Sequence, residues 1–263
     1  MSYSDSTGGR TRPKLDAFRP GHIFLMPKGS TWLNPDKPRP YVLATGCNSD
    51  DFGTLVYGST QETERAASAA FVEVAPRPLG VNANGLRSRT LFYPGLLYPS
   101  KYETLPPHLG HLGPLLAGLR RALRTALGIG SGTCRHPSAP GGSRRGRIVL
   151  LDPSFKPAFH TRHAVVLTEH VYSREERYQV IVPIVHGAPK ESNDANSLCV
   201  PWQHWFGVFT QPTSEVHFVL PVIQSVWHYD DIADETPYVI DEGSLERVEE
   251  RLCAMFGIEE RGE

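Results

Sequence analysis

Gly21-His22-Ile23-Phe24-Leu25 and Gly146-Arg147-Ile148-Val149-Leu150 open two stretches of this chain in the same way, and their pairing decides the fold. Each is a glycine leading into a run of apolar residues that reads as a β-strand, and each meets a proline shortly afterwards, at Pro27 and Pro153. Working outward, Arg39-Pro40-Tyr41-Val42-Leu43 stands 18 residues after Gly21, and Arg162-His163-Ala164-Val165-Val166-Leu167 stands 16 after Gly146. Both are an arginine entering a β-branched run. A third strand follows in each stretch, Thr54 to Tyr57 and Tyr178 to Ile184, rich in residues that suit a pleated, half-buried surface. Further strands are expected at Phe71 to Val74 and Leu86 to Phe92, and at Val216 to Val219 and Val222 to Val226.

Each stretch then closes with an amphipathic helix. In the first, Pro114 suits the first helical position, and Leu112, Leu115, Leu116, Leu119, Leu123 and Leu127 recur at the spacing of one buried face. In the second, Ser244 is the expected N-cap and Leu245, Val248, Leu252, Met255 and Phe256 form the stripe. Leu127-Gly128-Ile129 and Phe256-Gly257-Ile258 end them alike: a glycine free to go left-handed, then an apolar residue that folds back. The same elements in the same order predict a duplication.

Between the stretches lies Gly130 to Arg145, GSGTCRHPSAPGGSRR, whose composition cannot build a packed core and reads as a linker. The expected organisation is a flexible tail at 1–18, one unit at 19–129, the linker at 130–145, a second unit at 146–258 and a short tail at 259–263. The 263 residues, 40% of them apolar, suffice for one large core or two modest ones.

The net charge of −1 hides an asymmetry. Residues 1–145 carry 18 Lys+Arg against 9 Asp+Glu, a surplus of nine positive charges, and residues 146–263 carry 9 against 19, a surplus of ten negative ones. A basic unit favours an anionic partner such as nucleic acid, although an uneven soluble surface accounts for the same counts. No apolar run approaches the roughly 20 residues a membrane helix needs. Met1 to Lys14 has no apolar core, so a secretory signal is not expected and a cytoplasmic address is. Cys47, Cys134, Cys199 and Cys253 form no close pair and read as reduced thiols. His160 with His163, or Cys199 with His204, supplies only half a zinc site, so neither metal nor cofactor is expected.

Three segments of the first unit give it a resemblance to a known family: Pro20-Gly21-His22-Ile23, Arg39-Pro40-Tyr41-Val42-Leu43 and Val56-Tyr57-Gly58-Ser59-Thr60-Gln61, followed by the terminal helix. In that order they resemble the PemK/MazF family of toxins, relatives of the CcdB-type gyrase poisons, and the second unit repeats the layout more faintly. The resemblance implies an α+β, mainly β fold of two tandem small antiparallel β-barrels, each ending in an amphipathic helix. Family members are usually homodimers, and many cleave single-stranded RNA without a metal in a groove between subunits. Carried over, the two units make an intramolecular pseudo-dimer, with single-stranded RNA and an antitoxin protein as partners.

In such chemistry the ribose 2′-hydroxyl attacks its own phosphate, so the site must move protons and stabilise a doubly charged phosphorane. The resemblance places Arg39 at the catalytic arginine, and a permanently charged guanidinium is suited to clamping phosphate oxygens. Ser59 and Thr60 fall at the hydroxyl positions, and Gly58 would let a phosphate approach the backbone. Arg87 and Arg89, two apart on the expected strand, would share a face and line an anionic groove. Where the family often carries an acid, this chain has Ser88 and Thr90. The second unit keeps Arg162 but aligns Ile184-Val185-His186 with Gly58-Ser59-Thr60, leaving His186 as the substitute acid or base. Pro221 interrupts its late strand, which suits an edge or a bulge.

Two alternatives stand beside the ribonuclease: a catalytically degenerate nucleic-acid- or protein-binding module, and a gyrase poison acting through Phe256-Gly257-Ile258, a tripeptide that a helix cap also explains. The acidic residues Asp230, Asp231, Asp234, Glu235, Glu246, Glu249 and Glu250 suggest a surface that docks on the basic unit.

Overall fold

Along most of the early strands apolar residues alternate between two faces, each backed by its own buried cluster. A computed structural model describes residues 18–30, 36–45, 52–60, 71–77, 79, 83–130, 145–154, 162–168, 178–186, 198–201, 215–218, 223–227 and 231–258. The first half contains β1 (His22–Met26), β2 (Arg39–Leu43), β3 (Phe52–Ser59), β4 (Val72–Val74), β5 (Thr90–Lys101), β6 (Gly110–His111) and α1 (Leu115–Ala126). The second contains β7 (Arg147–Leu151), β8 (His163–Val166), β9 (Tyr178–His186), β10 (Leu198–Pro201), β11 (Glu215–Phe218), β12 (Gln224–Trp227), β13 (Ile232–Val239) and α2 (Glu242–Phe256). The architecture is α+β and mainly β: two curled antiparallel sheets and, among the described residues, two α-helices.

The sheets run β4-β5-β3-β2-β1-β6 and β10-β11-β9-β8-β7-β13, with β12 also paired to β9. These orders correspond strand for strand once β5 is matched to β11 and β12 together. β5 pairs with β3 in two registers, Ser59↔Leu91 to Tyr57↔Tyr93 and then Val56↔Leu97 to Phe52↔Lys101, with Pro94, Gly95 and Leu96 unpaired between them. On β9 the same two positions are taken by separate strands, β11 at Ile184 to His186 and β12 at Tyr178 to Ile181. Pro221 lies between them, outside the described residues. β5 is longer than the expected run, and β6, β10 and β13 were not anticipated.

Ile23, Val42, Val56, Phe92 and Leu97 face a core cluster that also holds Ile148, Val165, Val182, Ile184 and Ile223 of the second half. The helices close on it: α1 packs against β4 and β5 through Leu119, Leu123 and Leu127, and α2 packs near β10 through Leu245, Val248, Leu252 and Phe256. Leu115, expected on the buried stripe, is 40% exposed because the helix begins there and its turn faces away from β5. The opposite face of the first sheet buries an aromatic cluster of Phe18, Phe24, Tyr41, Tyr57, Tyr93 and Tyr102.

Both helices end as expected. Gly128 and Gly257 have φ of 61° and 62°, and the amides of Ile129 and Ile258 donate back to Arg124 O and Cys253 O at 3.1 and 2.9 Å. At the start of α2 the cap is Asp241 rather than Ser244: the Asp241 carboxylate accepts from Ser244 N at 2.9 Å. Ser244 is therefore the third residue of the helix, the position whose amide a cap satisfies.

Polar contacts join the halves. Arg145, 1% exposed, donates to Leu127 O at the end of α1 and to the Glu249 carboxylate of α2, which also accepts from Gly130 N at 2.7 Å. Arg120 of α1 donates to Phe256 O at the end of α2 at 3.1 Å. A guanidinium at each helix C-terminus answers carbonyls that lack an intrahelical partner. Ser225 of β12 fills the irregularity in β5, its hydroxyl donating to Gly95 O at 2.7 Å and accepting from Leu97 N at 2.8 Å.

Candidate functional site

Register carries side chains from five strands into two adjacent rows at one end of the first sheet. Phe24↔Tyr41, Tyr41↔Tyr57 and Tyr57↔Tyr93 are cross-strand partners, and Phe71 stands beside Tyr93 one residue before the Val72↔Phe92 pair. Two residues along, on the same face, come Met26↔Arg39, Ser59↔Leu91 and Leu91↔Glu73. Continuing the β2–β3 register brings Arg39 beside Ser59; in the second half the ladder runs to His163↔Ile184, one step short of the matching position. The first row is aromatic: Tyr41 and Tyr57 meet edge to face at 5.5 Å, Tyr57 and Tyr93 stack at 6.4 Å, and Phe71 leans on Tyr93 at 6.4 Å. The second is a polar row in that it brings Arg39, Ser59 and Glu73 together, with the buried Met26 and Leu91 among them.

Arg39 enters β2 half-buried, and its Nε is a buried donor with no hydrogen-bond partner. Such a group costs free energy unless an acceptor arrives. Ser59 is 3% exposed at the end of β3, and Thr60 follows it in the open. Gly58 has a packing role. A Cβ there would stand 2.7 Å from Phe92 Cε1 and 2.9 Å from Pro40 O, so the glycine is required by packing between β2 and β5.

Arg87 and Arg89 are exposed but precede β5 instead of lying within it, since β5 begins at Thr90. Arg89 is held by Glu73 in a two-pronged ion pair, Nε to Oε1 at 2.6 Å and Nη2 to Oε2 at 2.8 Å. The hydrogen bonds from Arg89 hold the Glu73 carboxyl below the usual glutamate range, so it stays ionised and accepts rather than donates. Glu73, on the neighbouring strand β4, thus brings a carboxylate beside the segment that carries Ser88 and Thr90. A cleft of about 540 Å³ adjoins it, running past Val74, Arg77, Asn84 and His111 to Pro114 at the start of α1.

In the second half Arg162 is exposed before β8, and its carbonyl accepts from Leu151 N at 2.6 Å. Counting along the matched registers sets Arg162 beside Val185 where the first half has Arg39 and Ser59. His186 ends β9 opposite Val216, and its side chain lies outside the described residues. Of the acidic group, Glu249 alone among the described residues reaches the first half; Glu235 pairs with Arg147 at 3.7 Å, Glu246 and Glu250 face outward, and Asp230 lies outside the described residues.

No family model matches this chain, and no curated protein matches it. The site therefore rests on its own geometry. Among the described residues no three His, Cys, Asp or Glu side chains converge as a metal site would require, and no helix is long and apolar enough to cross a membrane. A trio of histidines does gather at the start of β1. His22 stacks on His108 at 4.2 Å and meets His111 edge-on at 5.5 Å. Gly113 N donates to His111 Nδ1 at 2.8 Å, which leaves Nε2 to carry the hydrogen it donates to Pro20 O, also at 2.8 Å. Burial first, then His108, His111 and Arg19, lower the His22 pKa to about 4.

Proposed function

We propose that this chain binds single-stranded RNA across the polar row of its first sheet and cleaves it without a metal, in the manner of the PemK/MazF-type toxins it resembles. The observation that carries the reading is the Arg39 guanidinium, which keeps an unpartnered buried Nε beside the hydroxyl-bearing end of β3. A phosphate oxygen is the acceptor that this donor lacks. In the reaction the 2′-hydroxyl gives up its proton as its oxygen bonds to phosphorus, the bond to the 5′-oxygen breaks with that oxygen leaving as a hydroxyl, and a cyclic phosphate remains on the upstream fragment. Arg39 compensates the charge that grows on the non-bridging oxygens, and the exposed Thr60 donates to one of them.

The same reading treats the curled sheets as two barrels of this family, with the halves standing for the two subunits of a dimer on one polypeptide. An antitoxin protein is then a second partner, and the cytoplasm is the workplace. The Arg145–Glu249 contact and the shared core support the pairing of halves.

A second reading, RNA binding without cleavage, is favoured by two details of the site. Ser59 is 3% exposed, and the one carboxylate of the row is engaged by Arg89. Incubation of a mixed-sequence single-stranded RNA with the full chain in EDTA separates the readings. Cutting by the wild type that is absent in Arg39→Ala supports the ribonuclease. RNA bound but left whole supports the module, and neither binding nor cutting refutes both.

A further inference from the structure

The aromatic row ends in the open. Tyr41 is fully buried, Tyr93 is 2% and Tyr57 7% exposed, yet Phe71 at the end of the same row is 44% exposed. A single exposed phenylalanine is ordinary on a protein surface. This one is distinguished by what holds and flanks it. Tyr93 supports it from the sheet side at 6.4 Å with the ring planes 58° apart, within the range of favourable aromatic pairs. It sits at β4, the edge of the first sheet, and among the described residues no further strand pairs with that edge. One row along the same strand stands the Glu73–Arg89 pair, 47% and 54% exposed, whose locked geometry presents carboxylate lone pairs and guanidinium hydrogens beside the ring.

We propose that Phe71 is a base-stacking platform for an unpaired RNA base, with the Glu73–Arg89 pair at the edge of that base. The proposal rests on the RNA-binding reading above and adds to it the element that grips the strand outside the reacting phosphate. β2, β3, β5 and β4 are consecutive in the sheet. Three strand spacings of about 4.8 Å and the two-residue step between the rows therefore separate Arg39 from Phe71 by about 16 Å. Phe71 thus holds a base further along the strand than the nucleotide whose phosphate meets Arg39. Stacking on an aromatic face tolerates every base, while the polar pair beside it supplies donors and acceptors for the Watson–Crick edge.

The test uses the full chain and a labelled 2′-O-methyl RNA of mixed sequence, which lacks the attacking hydroxyl and stays whole, with binding followed by fluorescence anisotropy. Phe71→Leu keeps an apolar side chain but loses the π-face, and it weakens binding roughly tenfold, the worth of about one stacked base at 1.4 kcal/mol per decade. Phe71→Trp binds at least as tightly as wild type. On an oligonucleotide of abasic residues, wild type and Phe71→Leu bind alike. Unchanged melting temperatures establish that the variants fold. If Phe71→Leu holds the intact oligonucleotide as tightly as wild type does, the platform is refuted while the RNA-binding reading stands. If wild type binds no RNA, both fall together.

Discussion

Replacing Glu249 with alanine removes the acceptor for a guanidinium that water cannot reach. Arg145 is 1% exposed and Glu249 10%, and the carboxylate serves both Arg145 and the amide of Gly130. In Glu249→Ala, Arg145 keeps its hydrogen bond to Leu127 O while its positive charge is uncompensated, and Gly130 N–H loses its acceptor. Breaking a buried pair from one side costs about 3–5 kcal/mol. For a chain of this size that lowers the melting temperature by roughly 10 °C. Replacing both partners together, Arg145→Met with Glu249→Leu, leaves no orphaned charge, so the double variant lies much nearer wild type than Glu249→Ala does. Urea denaturation of wild type, Arg145→Met, Glu249→Leu and the double variant completes the cycle, with Glu249→Ala measured beside them. A loss under about 1 kcal/mol in Glu249→Ala, or a double variant as damaged as the sum of the singles, would refute the reasoning that the cost is an unpaired buried charge.

Ser225→Ala leaves Leu97 N–H without its partner where β5 leaves its register with β3, and a loss of about 1–3 kcal/mol in denaturant stability is expected; an unchanged midpoint would remove the hydroxyl's bridging role. The His22 ring, with its pKa lowered to about 4 in the fold against 6.5 when free, makes the unfolded chain the better proton acceptor. Stability is therefore flat above about pH 6.5, falls as pH drops from there toward about 4, and His22→Gln flattens that slope in urea midpoints taken between pH 7 and pH 4.

The strands were legible where apolar residues cluster locally, while their pairing and register were not. Arg39-Pro40-Tyr41-Val42-Leu43 and Thr54 to Tyr57 identify β2 and β3, and the matched openings at Gly21 and Gly146 identify β1 and β7. The helix ends were legible too, because a glycine followed by isoleucine specifies its own hydrogen bonds. What the sequence hid depends on contacts distant along the chain. Glu73 lies 16 residues from Arg89 and enters the site only because β4 pairs with β5. β13 reads as an acidic cluster because most of its side chains are exposed, and β6 is a mere two residues, Gly110 and His111. Gly130 and Arg145 sit in a stretch whose composition signals a linker, yet both ends of it are pinned by one carboxylate of α2.

That pinning bears on how the function must be tested. A chain built from two similar halves invites experiments on each half alone. Here Ile23, Val42, Val56 and Leu97 share a core cluster with Ile148, Val165, Val182 and Ile223. Ser225 satisfies backbone groups of β5, and each helix lends or receives a cap across the boundary. Cutting between the halves would expose apolar surface and orphan polar groups on both, so inactivity of an isolated first half would report unfolding and say nothing about the site. The second half, with Val185 where the first has Ser59, then acts on the polar row by holding the first sheet in shape. Point substitutions in the full chain, Arg39→Ala at the polar row against Glu249→Ala at the clamp, separate the two roles. Loss of cutting with an unshifted melting temperature belongs to the row; a shifted melting temperature with cutting retained below it belongs to the clamp.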